Sequence, residues 1–322
     1  MFDVVTVGSA TVDAFVRTGN KLFGKAHRNN CVLVPFGSKI LVDDLRFEIG
    51  GGGTNTAVAL SRLGLKAAYL GSVGVGNNSS MVLGLLKKEK VDTSLVQSGE
   101  GRTGFSVILD ASGHDRTILT FKGNNDRLDF SRIPRQRLKA KWFYFSAMLN
   151  KSFETQKKLA AFAAKNSIKI AYNPSSYLAK KGAGYIRPIL QKTELLVLNR
   201  EEAAYLVGKQ GINRTLKSLL KLGPKIVAVT DGARNAYVAD GRKVYWTNPP
   251  NIHVVESTGA GDAFASTLLA MVMKNKTLDF ALAAAVANSQ SVISHYGPKN
   301  ILLSHSELAR KARAYKVREG VL

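Results

Sequence analysis

The sequence predicts an α/β protein: a doubly wound, mostly parallel sheet flanked by helices, with a small β-sheet lid. Three observations predict it. From Trp142 onward, apolar strand patterns alternate with helical ones, as in a parallel sheet covered on both faces. Two stretches of short alternating strands, bracketed by turn residues, interrupt the N-terminal part. Glycine-rich turns lead into helical patterns at Gly50–Gly53 and Gly259–Gly261, and sheets of this kind hold ligands at such turns.

Taken in order, Val4–Val7 is an apolar strand run ending in Gly8-Ser9, and Asp13 is expected at a strand end facing a cleft. Phe15–Phe47 is irregular, with Asn29-Asn30 and Pro35, but Cys31–Pro35 and Ile40–Leu45 alternate and are expected as short strands. A second alternating pair, Gly104–Asp110 and Arg116–Phe121, is joined by Ala111-Ser112-Gly113-His114, a hairpin turn. These two parts, about 15–47 and 102–122, are expected to form the lid within a single domain spanning 1–322. Between them, four glycines from Gly50 to Gly53 precede Asn55 and the helical pattern Ala57, Leu60, Leu63, closed by Gly64. Glycines there permit close backbone approach to a ligand, and the Asn55 amide offers both a donor and an acceptor. Ala67–Val73 then reads as a strand and Ser80–Lys90 as a helix.

In the second half, strands are expected at Trp142–Phe145, Ile168–Tyr172, Leu195–Leu198 and Ile226–Thr230. Helices are expected at Ser152–Lys165, Glu201–Val207, Asn213–Leu222, Gly261–Lys274, Leu278–Tyr296 and Ser304–Ala314. The residues at the carboxyl ends of the strands are small and polar: Asp13, Ser146, Asn173, Asn199 and Thr230-Asp231-Gly232. That is the lining a sugar and nucleotide cleft needs.

Composition narrows the class. An apolar content of 45% with 21% charged residues belongs to an ordinary globular protein. A single cysteine, Cys31, excludes a disulfide framework. The first residues read as a strand rather than a signal segment, and no apolar run approaches the about 20 residues of a membrane helix, so a cytoplasmic protein without a membrane partner is expected. The net charge is +23, and basic residues crowd Arg132–Lys141 and Ser306–Gly320. No aromatic interleaving or zinc-finger spacing accompanies it, which disfavours nucleic acid as the main partner; a basic surface still attracts anionic nucleotides. Gly19 to Ala26 misses a Walker loop by one residue and lacks its hydroxyl. Gly74-Val75-Gly76 lacks the third glycine of a dinucleotide fingerprint, and the five histidines have no metal-ligand spacing.

The chemistry concentrates in Glu256–Phe264, ESTGAGDAF. A glycine turn opening a helix converges backbone N–H groups that have no partner inside the helix, and such a terminus attracts phosphate. A carboxylate beside that nest, Asp262, is the pairing phosphoryl transfer to a hydroxyl requires: donors for the phosphoryl oxygens and a base for the acceptor. Asp262 as a mere helix cap is the alternative, but a cap does not require the glycine nest.

The Gly50-Gly51-Gly52-Gly53-Thr54-Asn55-Thr56-Ala57 loop and the Glu256–Asp262 turn resemble the two signatures of the PfkB, or ribokinase-like, sugar and nucleoside kinases. Their separation, Gly-Ser-Ala-Thr-Val-Asp near the start, Asn199-Arg200-Glu201-Glu202 as the family's N-x-x-E, and Thr230-Asp231-Gly232 extend the resemblance over nearly the whole chain. The resemblance implies an ATP-dependent sugar kinase with Asp262 as base and Gly259, Ala260 and Gly261 as anion hole. It implies that Asp13, Gly51, Gly53 and Asn55 hold sugar hydroxyls. Asn199, Thr230, Gly232 and Asn288 are implied to meet the nucleotide, and Glu202 to organise Mg²⁺ through water. K⁺ is implied near Glu256 and Thr258, where Glu256 replaces the family's usual aspartate. Nucleoside or ribose-1-phosphate kinases are the alternatives within the family, and a nucleic-acid-associated protein on a kinase fold is the alternative outside it. A homodimer through the lid is implied as well, consistent with the unpaired edges of a small sheet. Asn199 with Glu202 also reads as a helix cap and first-turn acid, Asp13 as a turn former, and Asn288 as a helix-face residue.

Overall fold

In the computed structural model the described residues are 1–17, 24–25, 32–33, 36–110, 116–295 and 297–322. The chain starts with β1 (Phe2–Val7), β2 (Thr11–Arg17), β3 (Asp44–Gly50), α1 (Gly52–Arg62), β4 (Ala67–Leu70), α2 (Asn77–Lys88), β5 (Gly104–Asp110) and β6 (Arg116–Phe121). Strict alternation follows through β7 (Ala140–Ser146), α3 (Asn150–Lys165), β8 (Lys169–Asn173), α4 (Ser175–Ala179), α5 (Ala183–Leu190), β9 (Leu195–Asn199), α6 (Arg200–Val207), α7 (Ile212–Leu220) and β10 (Ile226–Thr230). The remainder is β11 (Ala236–Ala239), β12 (Lys243–Thr247), α8 (Ala260–Met273), α9 (Leu278–Ile293), α10 (His305–Ala312) and β13 (Arg318–Val321).

The large sheet has the order β13-β12-β11-β10-β9-β8-β7-β1-β4. It is parallel from β10 to β4 and antiparallel from β10 to β13. Its central strands are apolar at nearly every position because successive side chains point to opposite faces and both faces are covered. Phe143 and Phe145 pack with α3 to α7, whereas Trp142 and Tyr144 pack with α1, α8 and α9. The antiparallel edge was not expected from the sequence, which carries no βαβ rhythm beyond Thr230.

The lid is a second sheet, β6-β5-β2-β3, in which β2 pairs parallel with β5 and antiparallel with β3. A small separate sheet is what the sequence predicts, but two strands differ. Thr11–Arg17 is a full strand, and the strand expected at Ile40–Leu45 starts only at Asp44. Register explains the shift: Arg17 pairs with Asp44 and Thr11 with Gly50, so residues before Asp44 lie beyond the end of β2. Of the expected strand Cys31–Pro35, only Val32 and Leu33 lie within the described residues, and the hairpin turn at Ala111–His114 lies outside them. The lid's base is tied to the large domain through Ala10, Val12 and Ile49, which pack with Ala57 of α1 and Val82 and Leu86 of α2. No helix among the described residues is long and apolar enough to cross a membrane.

Candidate active site

The candidate site begins where β1 runs into the lid. Gly51 has φ 96°, and a Cβ there would lie 2.5 Å from the Ser9 carbonyl oxygen, so only glycine turns the chain into α1. Gly53 donates its N–H to Ser9 O at 3.0 Å, and its missing side chain lets α1 approach Gly8. Gly51 and Gly53 therefore allow close packing against the end of β1. At Gly52 a Cβ would lie 2.9 Å from Ser146 Cβ and 3.5 Å from Asp262 Oδ1, so the missing side chain lets this turn approach both residues.

The start of α8 is the other half. Gly259 is left-handed (φ 81°, ψ −6°) and lies against Pro298, so the turn needs glycine both for its backbone and for its space. Asp262 sits in the first turn of α8, and Asn55 in the first turn of α1. Asn55 Nδ2 donates to Asp262 Oδ2 at 2.8 Å, which joins the two glycine-rich turns. Burial raises the Asp262 carboxyl above its ordinary value, opposed by the Asn55 hydrogen bond and the Lys299 charge.

Asp13 lies within β2 rather than at a strand end, and is 6% exposed. Its carboxyl is raised by burial against the hydroxyls of Thr11 and Ser106 and the charge of Lys299. It packs on Gly50, where any Cβ would collide with Asp13 Oδ2. Lys299 is a site residue the sequence did not reveal. It follows α9 in Gly297-Pro298-Lys299-Asn300, outside every motif, and its one signal is a lysine leading into the apolar run Ile301–Leu303.

A cavity of about 310 Å³ is lined by Thr230, Gly232, Pro250, Phe264, Gln290 and Ile293, together with Ala260 and Gly261 at the start of α8. Its apolar walls and few polar groups suit a flat heterocycle. A wider groove of about 950 Å³ shares Thr230 and Gly232 and runs along Asn199, Glu201 and Tyr205. Asn288 does not reach this cavity, in contrast to the expectation. It is fully buried; its Nδ2 donates to Thr267 Oγ1 at 2.7 Å, and its Oδ1 accepts from Leu303 N at 2.9 Å. Both ends of the amide are thus committed to holding α8, α9 and the following turn together.

Asn199 and Glu202 form a reciprocal cap on α6. Asn199 Oδ1 accepts from Glu202 N at 2.8 Å, and a Glu202 carboxylate oxygen accepts from Asn199 N at 2.9 Å. Burial raises the Glu202 carboxyl, opposed by the backbone N–H groups of Asn199 and Ser176. No cluster of three or more His, Cys, Asp or Glu able to hold a metal occurs among the described residues. Glu256 accepts from Gly297 N at 2.9 Å, tying its loop to the turn after α9. On the same loop, Thr258 Oγ1 is buried with no hydrogen-bond partner among the described residues.

A large α/β sheet flanked by helices, a small β lid, and a buried carboxylate meeting a glycine-rich helix start beside a largely apolar cavity define the ribokinase-like class. The model of the pfkB family carbohydrate kinases matches residues 1–304, and the chain belongs to that family. It is 28% identical over 227 residues to a sugar kinase of Archaeoglobus fulgidus, covering 69% of this chain and 89% of that one. It is 25% identical to the ribokinase of Lactococcus lactis, covering 98% and 99% of the two chains. Its fold matches Arabidopsis thaliana ribokinase complexed with ribose and ATP, with a TM-score of 0.82 at 19% identity over 97% of this chain and 99% of that one.

Proposed function

We propose that the protein transfers the γ-phosphoryl group of ATP to a hydroxymethyl group of a sugar, with Asp262 as general base. The observation that carries this reading is the 2.8 Å bond from Asn55 to Asp262, which brings the lid-side loop and the phosphate nest to one point. The sugar lies between the lid and α1, with Asp13 and Asn55 toward its hydroxyls. Asp262 accepts the proton as the acceptor oxygen bonds to phosphorus; the bond from phosphorus to the β–γ bridging oxygen breaks, and ADP leaves. The N–H groups of the Gly259–Gly261 turn, of which that of Ala260 also reaches the Ser257 carbonyl at 3.4 Å, face the charge gathering on the transferred group. The base of ATP enters the cavity beside Phe264, consistent with the ATP carried by the Arabidopsis ribokinase structure.

Mg²⁺ fits this site only with phosphates and waters as its other ligands, because Glu202 is the one carboxylate assigned to it and is already capped by backbone. When bound it offsets charge on the phosphates. The orphaned hydroxyl of Thr258, beside Glu256 on the same loop, suits K⁺, a cation that takes neutral oxygens.

A panel of pentoses, hexoses, sugar phosphates and nucleosides with ATP and Mg²⁺ tests the assignment. Turnover is expected on a sugar; turnover confined to nucleosides would replace it with the nucleoside kinase alternative. The pH profile is a second test. A base must be ionised, and burial sets the Asp262 carboxyl above its ordinary 3.8. kcat/KM is therefore full above the raised value and lost as pH falls through it, with its acid limb displaced above that of an exposed aspartate. An acid limb at or below the ordinary aspartate value would exclude Asp262 as the titrating base.

A further inference from the structure

Lys299 is 3% exposed, and its ammonium lies inside the site. It donates to Asn55 Oδ1 at 2.8 Å and to the Ile49 carbonyl. Its own carbonyl accepts from Arg62 Nη1 at 2.8 Å, and Arg62 is held in turn by both carboxylate oxygens of Glu89. The turn carrying Lys299 is thus clamped to the last turn of α1. The ammonium interacts electrostatically with Asp13, Glu48 and Asp262, and with the positive Arg62. Burial pushes the Lys299 ammonium down to about 8, against those three carboxylates.

An ammonium has donors and no acceptor, so only the carbonyl end of the Asn55 amide can face it. The NH₂ end must then face Asp262, and an NH₂ stabilises a carboxylate rather than a protonated carboxyl acting as donor. A buried cation of this kind is weak support for stability, since an apolar side chain of similar volume often serves a fold as well.

We propose that Lys299 is a positioning residue of the phosphoryl-transfer site, fixing the Asn55 amide toward Asp262 and supplying a built-in positive charge to Asp13 and to Asp262. This rests on Asp262 as base. With Lys299 in place, Asp262 is held ionised and aimed; without it, Asn55 is free to turn its carbonyl toward a protonated Asp262.

Carboxyl-¹³C-aspartate labelling of the full chain tests this, with the Asp262 signal assigned by its loss in Asp262→Asn. In Lys299→Met the Asp262 midpoint is expected to rise by about one pH unit or more. Turnover on the sugar identified by the panel is expected to fall by about 10²-fold with nucleotide affinity retained. Lys299→Gln keeps an N–H donor without the charge and is expected to raise the midpoint as well. An unmoved midpoint in either folded variant overturns the proposal, and failure of both variants to fold overturns it in favour of a structural lysine. If Asp262→Asn keeps full turnover, the base assignment fails, while the Lys299–Asp262 coupling is still read from the titration.

Discussion

Asp262→Asn is expected to lower kcat by about 10³-fold, within the range for loss of a general base. The substitution is close to isosteric, so the first turn of α8 and the cavity beside Phe264 remain, and ATP affinity is expected to stay within about threefold. The Asn55 contact sharpens the expectation. Asn55 Nδ2 now faces a carboxylate oxygen, whereas an asparagine at 262 keeps that hydrogen bond only through its carbonyl. Its own NH₂ is then left toward the acceptor hydroxyl, where it can donate but cannot take a proton. Steady-state kinetics together with calorimetric titration of ATP separate the two quantities. Retained kcat would remove Asp262 as base; lost ATP binding would assign it to nucleotide affinity instead.

Gly259→Ala is expected to have the next largest effect, acting on both rate and stability. At φ 81° an alanine pays a backbone penalty of about 1 kcal/mol or more. Its Cβ would also stand 2.4 Å from the Pro298 carbonyl oxygen, which is backbone and cannot swing aside as a flexible side chain would. The turn must move away from Pro298, and its N–H groups turn with it. Loss of about 10²-fold in kcat is expected, together with a fall of about 2–10 °C in Tm. Gly261→Ala is the contrasting variant. Nothing lies within 4 Å of a Cβ there, so Tm is expected to hold, while the added methyl intrudes on the cavity Gly261 lines and weakens ATP. Equal thermal losses in both variants would show that the Pro298 contact does not restrain the nest.

Asp262 and the glycine nest could be read from residue order because a helix start with its turn is local: its donors, its left-handed residue and its first-turn carboxylate lie within seven residues. The strand–helix alternation was equally legible, since period-two and helical patterns are written into consecutive side chains. Asn288 was misjudged because an asparagine on a helix looks the same whether it faces a ligand or, as here, Thr267 and Leu303. The strand at Asp44 was displaced because its start depends on where β2 ends, information carried by a distant segment.

By itself the sequence determined the α/β class, the presence of a small second sheet, the family and the residues of each signature. All of these depend on short-range spacing and on side-chain chemistry that needs no partner. Tertiary structure alone decided that Asn55 meets Asp262 across 207 positions, that Gly52 lies close to both Ser146 and Asp262, and that Lys299 is buried against Asn55. The physical reason is that a contact between distant residues, and the desolvation that shifts a carboxyl or an ammonium, exists only once the sheet and its two helix layers have enclosed the site.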